Sequence, residues 1–138
     1  MTTLLSHLLP VLGGTVASMI VGMIWYSKPV FGATWLHMTG KTEHSIKESA
    51  LSPAQAISIT LVCTFVASWT LLILFRLTGT AGLLPVARLT VILWAGLLVM
   101  VRAPHSLFEG RPGDLFAMYS IYDLASMLAM ALAIDALS

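Results

Sequence analysis

Four long apolar stretches constrain what this chain can fold into more than any other feature of its sequence. They cover residues 4–26, 53–75, 83–101 and 114–137. A membrane-spanning helix needs about 20 mostly apolar residues, and each stretch meets or approaches that length. Because the stretches are continuous, without the alternating polarity of barrel strands, they predict helices. The chain is therefore predicted to be an all-α polytopic membrane protein, a bundle of four transmembrane helices.

The composition supports lipid as the main surroundings of the chain. Of the 138 residues only 9% are charged and 58% are hydrophobic, whereas soluble domains carry about 25% charged residues. The length suits a single membrane domain over residues 1–138. The formal net charge of +1 gives no sign of a nucleic-acid partner, and the single cysteine, Cys63, excludes an intramolecular disulfide. We expect the chain to contact membrane lipid and not to bind nucleic acid.

The links between the stretches predict an orientation. The link over residues 27–52 is aromatic and interfacial in its first half and polar in its second. It lies on the same side as residues 102–113, and these two links hold five basic residues, namely Lys28, Lys41, Lys47, Arg102 and Arg111. The other side holds Arg76 and Arg88. Basic residues in short loops favour the cytoplasm, so both links are predicted to be cytoplasmic and both termini to lie across the membrane.

Asp123 is the most informative single residue. A carboxylate well inside a membrane helix costs about 2.5–3.5 kcal/mol on insertion scales, so it needs a partner, water or a proton. Helical spacing puts Tyr119, Ser120 and Ser126 on the same face, which indicates a polar interior. Asp123 is either a structural residue that sets the helix register or a binding site for a proton, a cation or a ligand amine.

Arg88 is a poor partner for Asp123, because it begins near the opposite membrane face. Asp135 lies at a matching depth on that face. An Arg88–Asp135 pair is the expectation there, with a structural role.

Aromatic and ionisable residues collect on the basic side of the bundle. Together with Asp123, the predicted binding residues are Trp25, Tyr26, Trp35, His105, Glu109, Arg111, Tyr119 and Tyr122. Aromatic rings favour membrane interfaces, which explains most of the set. His105 and Glu109 are four positions apart and would share a helical face, where they could relay a proton or ligate a metal. Two ligands make no metal site, and a Glu109–Arg111 surface pair is equally consistent, so no metal and no cofactor is predicted.

Small residues recur at intervals of four in two of the stretches. Gly14, Ser18 and Gly22 do so in the first, and Ala125, Ala129 and Ala133 do so in the fourth. Small residues let helix backbones approach closely in lipid. The stripes predict either packing within the bundle or the seam of a homo-oligomer, and spacing does not separate the two.

Two motifs resemble those of a known family. The segment Gly22-Met-Ile-Trp25-Tyr26, followed by Phe31-Gly32-x-x-Trp35, resembles the opening signature of the domain of unknown function 1761 family. The segment His105-x-x-Phe108-Glu109-Gly110-Arg111, followed by Leu115-Phe116 and Tyr122, is similar to its second signature. This chain has Ser120-Ile121 where that signature has a small polar residue and glycine. The resemblance implies a four-helix integral membrane protein of a bacterial inner membrane, with no assigned reaction.

The sequence contains no complete catalytic motif, so enzymatic activity stays undecided. The leading hypothesis is a small binding, transport or accessory module with a polar intramembrane site around Asp123. The alternative is a membrane-embedded enzyme that uses Asp123 or Glu109 as a general acid on a lipophilic substrate. A purely structural partner protein is the third. We expect the site between the first, third and fourth helices, opening towards the basic face, where a lipophilic ligand would bind.

Overall fold

The computed structural model describes the backbone of residues 2–138 and the side chains of residues 6–138. Its α-helices are α1 (Thr2–Trp25), α2 (Ala33–Thr39), α3 (Glu43–Lys47), α4 (Pro53–Thr78), α5 (Leu83–Leu93), α6 (Met100–Phe108) and α7 (Gly113–Leu137). A π-helical segment, Lys28–Gly32, precedes α2, and a second, Trp94–Val99, joins α5 to α6 in one helix over Leu83–Phe108. Within the described residues, four helices are long and apolar enough to cross a membrane, which confirms the predicted fold class.

Capping residues set the limits of α4. The Ser52 hydroxyl accepts the Gln55 backbone N–H at 3.2 Å, and the Gln55 side chain accepts the Ser52 N–H at 2.9 Å. This reciprocal pair satisfies two free N-terminal donors, and Pro53 lacks the donor that its position would leave unpaired. At the other end Gly79 adopts φ 64°, which glycine reaches without a Cβ clash. The helix begins at the predicted residue and ends three residues later than expected.

The third long helix extends beyond its predicted end. The apolar stretch ends at residue 101, and the predicted link over residues 102–113 contains Pro104. The helix instead continues through Pro104 to Phe108, so residues 102–113 are not a link as predicted. Proline removes one backbone donor and need not end a helix whose neighbours pack well. Arg102 therefore lies on a helix and not in a loop.

The apolar core lies at one end of the bundle. α7 packs mainly against α1 and also against α5 and α4, while α1 packs against α4. The core residues are Val11, Leu71, Leu72, Phe75, Val86, Met130, Ala131 and Ile134. They belong to the beginning of α1 and α5 and to the end of α4 and α7, which we call the core end. The opposite end, where α1 and α6 finish and α4 and α7 begin, carries the long link and is called the link end.

The small-residue stripe of α1 faces the inside of the bundle. A Cβ atom on Gly14 would collide with Ser68, and one on Gly22 would lie 3.0 Å from the Tyr122 hydroxyl. Between them the Ser18 and Ser126 hydroxyls are hydrogen-bonded at 2.5 Å. Close approach of α1 to α4 and α7 therefore requires these small residues. The packing interpretation is confirmed for this stripe, and a homo-oligomer would have to use another face.

Candidate functional site

Asp123 is paired with Arg102. The Arg102 guanidinium of α6 donates from Nη1 to Oδ2 of the Asp123 carboxylate on α7. The Asp123 side chain is 14% exposed, whereas that of Arg102 is 52% exposed. The arginine therefore covers the carboxylate, and the polar partner that a carboxylate inside an apolar helix requires comes from the neighbouring helix.

The π-helical segment Trp94–Val99 turns Arg102 towards α7. The inner face of α5 is marked by Val86 and Thr90, which are buried, and Arg102 follows Thr90 by twelve positions. In a regular helix, at about 100° per residue, Arg102 would lie roughly 120° from that face. A π-helical turn holds one extra residue and sets the following residues back by about 100°. Trp94 fastens the segment to α7, since its Nε1–H donates to the Ser120 carbonyl at 2.7 Å.

An open pocket of about 330 Å³ lies between α6 and α7 at the link end. It is lined by Arg102, His105, Ser106, Glu109, Arg111, Phe116, Tyr119 and Ser120. Asp123 is not among the lining residues, whereas its partner Arg102 is. A molecule in the pocket therefore meets the guanidinium first.

The end of α6 places Glu109 and Arg111 at the pocket. Gly110 has φ 64°, its N–H bonds the Leu107 carbonyl at 3.2 Å, and the Arg111 N–H bonds that of Ser106 at 3.1 Å. This is a glycine-terminated helix end, which folds the chain back over the last turn. The Arg111 side chain forms an ion pair between its Nε and Oε2 of Glu109. The expected Glu109–Arg111 pair is present, and it lies on the wall of the pocket with His105.

An aromatic cluster adjoins the pocket. The Tyr26 ring lies 5.2 Å from that of Tyr122 and 6.0 Å from that of Trp35, centroid to centroid. Trp25 stacks against Phe31 at 4.4 Å. Its Nε1 is buried and has no hydrogen-bond partner among the described residues.

Trp35 connects this cluster to the pocket. Its Nε1–H donates to the Tyr119 hydroxyl at 2.9 Å. The turn before it depends on Gly32, where a Cβ atom would collide with the Tyr26 carbonyl oxygen and lie 2.9 Å from the Ser27 carbonyl. The glycine and aromatic residues of the first motif therefore build the wall beside the pocket.

Two contacts of lysine side chains fix the long link over residues 27–52. Lys28 Nζ lies 2.6 Å from Glu43 Oε1, and Lys41 Nζ lies 5.6 Å from the centre of the Trp35 ring. The hydrogen bond and charge of Lys28 lower the pKa of Glu43 below its ordinary value, and those of Glu43 raise the pKa of Lys28. These contacts join the link to the end of α1 and to the aromatic cluster.

The structure brings the predicted binding residues together in two groups. His105, Glu109, Arg111 and Tyr119 line the pocket, with Asp123 behind Arg102. The others, Trp25, Tyr26, Trp35 and Tyr122, form the aromatic cluster. Their role in binding stays a prediction.

Sequence reasoning missed Arg102. The two residues could have been matched by their distance from the link end of the bundle. Arg102 lies six residues before the end of α6, and Asp123 lies ten residues after the start of α7. At about 1.5 Å per residue, both lie inside the link end, and the long arginine side chain spans the remaining difference.

The expected Arg88–Asp135 pair is wrong. Oδ1 of Asp135 accepts the backbone N–H of Gly82 at 2.8 Å, at the beginning of α5. Free N–H groups at a helix N-terminus attract a carboxylate. The N–H of Gly82 lies beside the end of α7, where Asp135 is. Arg88 is exposed and forms no ion pair within the described part of the chain. Nor do three metal-ligating side chains converge among the described residues.

Comparison with known proteins identifies a family. The family described as "Protein of unknown function (DUF1761)" matches residues 9–134. No curated protein and no solved structure matches. The matched range reaches into all four long helices and contains both motifs, those of the aromatic cluster and of the pocket. The chain therefore belongs to the DUF1761 family of proteins of unknown function.

Proposed function

We propose that this protein is an integral membrane protein of four spans that binds a lipophilic ligand with a polar head in the pocket between α6 and α7. The observation that carries the proposal is the Arg102–Asp123 pair beneath an open pocket. A charged pair among apolar helices is costly. Because Arg102 lines a pocket, the pair supports a binding role.

Membrane insertion is supported by the outer surface of the helices. Residues 51–63, the first part of α4 and its approach, are exposed and include Ile57, Ile59, Leu61 and Val62. A continuous apolar face of this kind is costly in water and matches acyl chains. The basic residues of the link end favour the cytoplasmic side, and the family resemblance suggests a bacterial inner membrane.

A purely structural role would need both partners of the pair to be satisfied within the bundle. Asp123 meets that condition, because Arg102 covers it. Arg102 does not, since a guanidinium has five N–H donors and one hydrogen bond of this side chain is made within the described residues. The remaining donors are available to a molecule in the pocket.

Acid catalysis fits the geometry less well than binding. A general acid must be protonated and within hydrogen-bond reach of its substrate. Asp123 lies behind Arg102, and the Glu109 carboxylate is already paired with Arg111. These two contacts support binding without a reaction.

The test is to fill the pocket. Ser106 lines it and is half-buried, so Ser106→Trp should occupy much of its volume. Thr70→Trp is the matched control, because Thr70 is exposed on α4 and bonds the Val66 carbonyl of its own helix. Amphiphiles that co-purify in mild detergent would be quantified by mass spectrometry. We expect about a tenfold loss for Ser106→Trp, about 1.4 kcal/mol, and none for the control. Equal occupancy in both variants would contradict the proposal.

A further inference from the structure

More positively than negatively charged side chains line the pocket. Arg102 and Arg111 line the pocket, and Glu109 is the one carboxylate among the lining residues. The second carboxylate, Asp123, lies behind Arg102. The side chains that line the pocket therefore carry two positive charges and one negative charge, and the balancing charge of Asp123 is turned towards Arg102. An anion is favoured here, whereas a cation would face two guanidinium groups and a carboxylate that is already paired.

From this arrangement we infer that the ligand carries a phosphate group, and this inference rests on the proposed binding function. Arginine binds phosphate through two parallel N–H donors. Arg102 uses Nη1 for Asp123, and Arg111 uses Nε for Glu109. Each guanidinium keeps further donors, so two arginine forks can meet one phosphate without breaking either ion pair.

Two hydroxyl groups complete the donor set. The Tyr119 hydroxyl accepts the Trp35 Nε1–H, and because indole is a donor only, the Tyr119 proton is left to donate elsewhere. Ser106 makes no side-chain hydrogen bond within the described residues. Both side chains line the pocket beside the arginines. The aromatic cluster thus orients one of the hydroxyl donors towards a bound anion.

The depth of the pocket matches that of a lipid headgroup. Arg111 lies in the turn beyond α6, and Arg102 lies six residues inside the helix, about 9 Å at 1.5 Å per residue. The headgroup layer is roughly 5–8 Å thick on each side of the bilayer, so Arg111 lies within it and the long Arg102 side chain reaches it from just inside. Leu107 and Phe108, in the last turn of α6 between the lining residues Ser106 and Glu109, are 80% and 95% exposed, a surface suited to acyl chains. Basic pockets between transmembrane helices on the cytoplasmic side are known to bind anionic headgroups.

Native mass spectrometry of the full chain in detergent tests the inference. Four probes separate the sources of phosphate: short-chain phosphatidylglycerol, short-chain phosphatidylcholine, diacylglycerol and soluble glycerol phosphate. Phosphatidylglycerol should bind most tightly, because its phosphate carries an uncompensated charge. Arg111→Gln should weaken it about tenfold to a hundredfold, the usual range for a hydrogen bond to a charged group. Arg88→Gln, which removes the same charge at an exposed position on α5, should leave binding unchanged.

A second variant protects the test from misfolding. Arg102→Gln combined with Asp123→Asn removes the pair without leaving a buried charge, and it should weaken phosphatidylglycerol binding by a similar factor.

The outcomes separate the two proposals. Equal binding of glycerol phosphate and phosphatidylglycerol would support the phosphate chemistry and assign it to a soluble ester. If diacylglycerol binds equally well, with sensitivity to Ser106→Trp but not to Arg111→Gln, the phosphate inference is overturned and the binding function stands. If Ser106→Trp changes the binding of no probe, both are overturned.

Discussion

The two halves of the Arg102–Asp123 pair should be unequal in their effect on stability. Arg102→Gln leaves a carboxylate that is 14% exposed without its partner inside an apolar helix. Asp123→Asn leaves a guanidinium that is 52% exposed and can turn towards water. Removal of the arginine should therefore cost more than removal of the carboxylate.

The exposures allow the two costs to be estimated. An ionised residue near the middle of a membrane helix costs about 2.5–3.5 kcal/mol, so Arg102→Gln should lower the free energy of unfolding by about 3 kcal/mol. An exposed ion pair is worth about 0–1 kcal/mol, so Asp123→Asn should cost about 1 kcal/mol. The double variant should be more stable than Arg102→Gln alone, with a coupling energy of about 1–3 kcal/mol.

Equilibrium unfolding in detergent micelles, followed by helical circular dichroism, measures these costs. Arg88→Gln is the control, since Arg88 is exposed and unpaired within the described residues, and it should change stability by less than about 0.5 kcal/mol. Equal costs for the two single variants, or an additive double variant, would refute the reasoning from exposure and show that Arg102 does not shield Asp123.

Three further predictions follow from packing, backbone and charge. Gly14→Ala should cost about 1–3 kcal/mol through overpacking, whereas Gly96→Ala, whose Cβ would meet nothing within 4 Å, should be near neutral in the same unfolding assay. Deletion of Leu97 should convert the π-helical segment to a regular helix and leave Arg102 facing α7, because eleven positions at about 100° per residue end roughly 20° from Thr90. The deletion should therefore cost less stability than Arg102→Gln in the same assay, and an equal loss would contradict this account of the segment. The ion pair of the long link is complete between about pH 4.5 and 10.5, the ordinary pKa values of its partners, and is lost as the pH falls through the lowered pKa of Glu43. Glu43→Gln at neutral pH should therefore lower the protection of the amides of residues 41–50 relative to their intrinsic exchange rates, as acidification should, and unchanged protection would argue against the contact.

The polar site and the apolar core occupy opposite ends of one bundle. At the core end, Phe75, Val86 and Ile134 are buried together. At the link end, ion pairs and hydroxyl groups connect the helices. Apolar packing at one end can hold the helices together while the other end keeps an open pocket, so the pocket need not be the source of stability.

The sequence by itself determined the features that depend on residues close to one another along the chain. The length and polarity of each stretch predicted four helices, because insertion depends on about 20 neighbouring residues. The second stretch was predicted to begin at residue 53, and α4 begins there, because the change from polar to apolar residues and the proline at a first helical turn are local features. The motifs around Trp25 and His105 indicated the family and the end of the bundle that carries the pocket.

Only the tertiary structure decided which side chains meet. The partner of Asp123, Arg102, is 21 positions away. Arg102 faces α7 because the π-helical segment rotates the residues that follow it, and no residue pattern in the sequence predicted that segment. Asp135 bonds a backbone N–H of Gly82 instead of Arg88, since helix ends come together in three dimensions. The Gly14–Gly22 stripe predicted close packing and left its partner open until α7 was seen against it. Local patterns specify elements, whereas partners depend on the register between helices, which packing of the whole bundle sets.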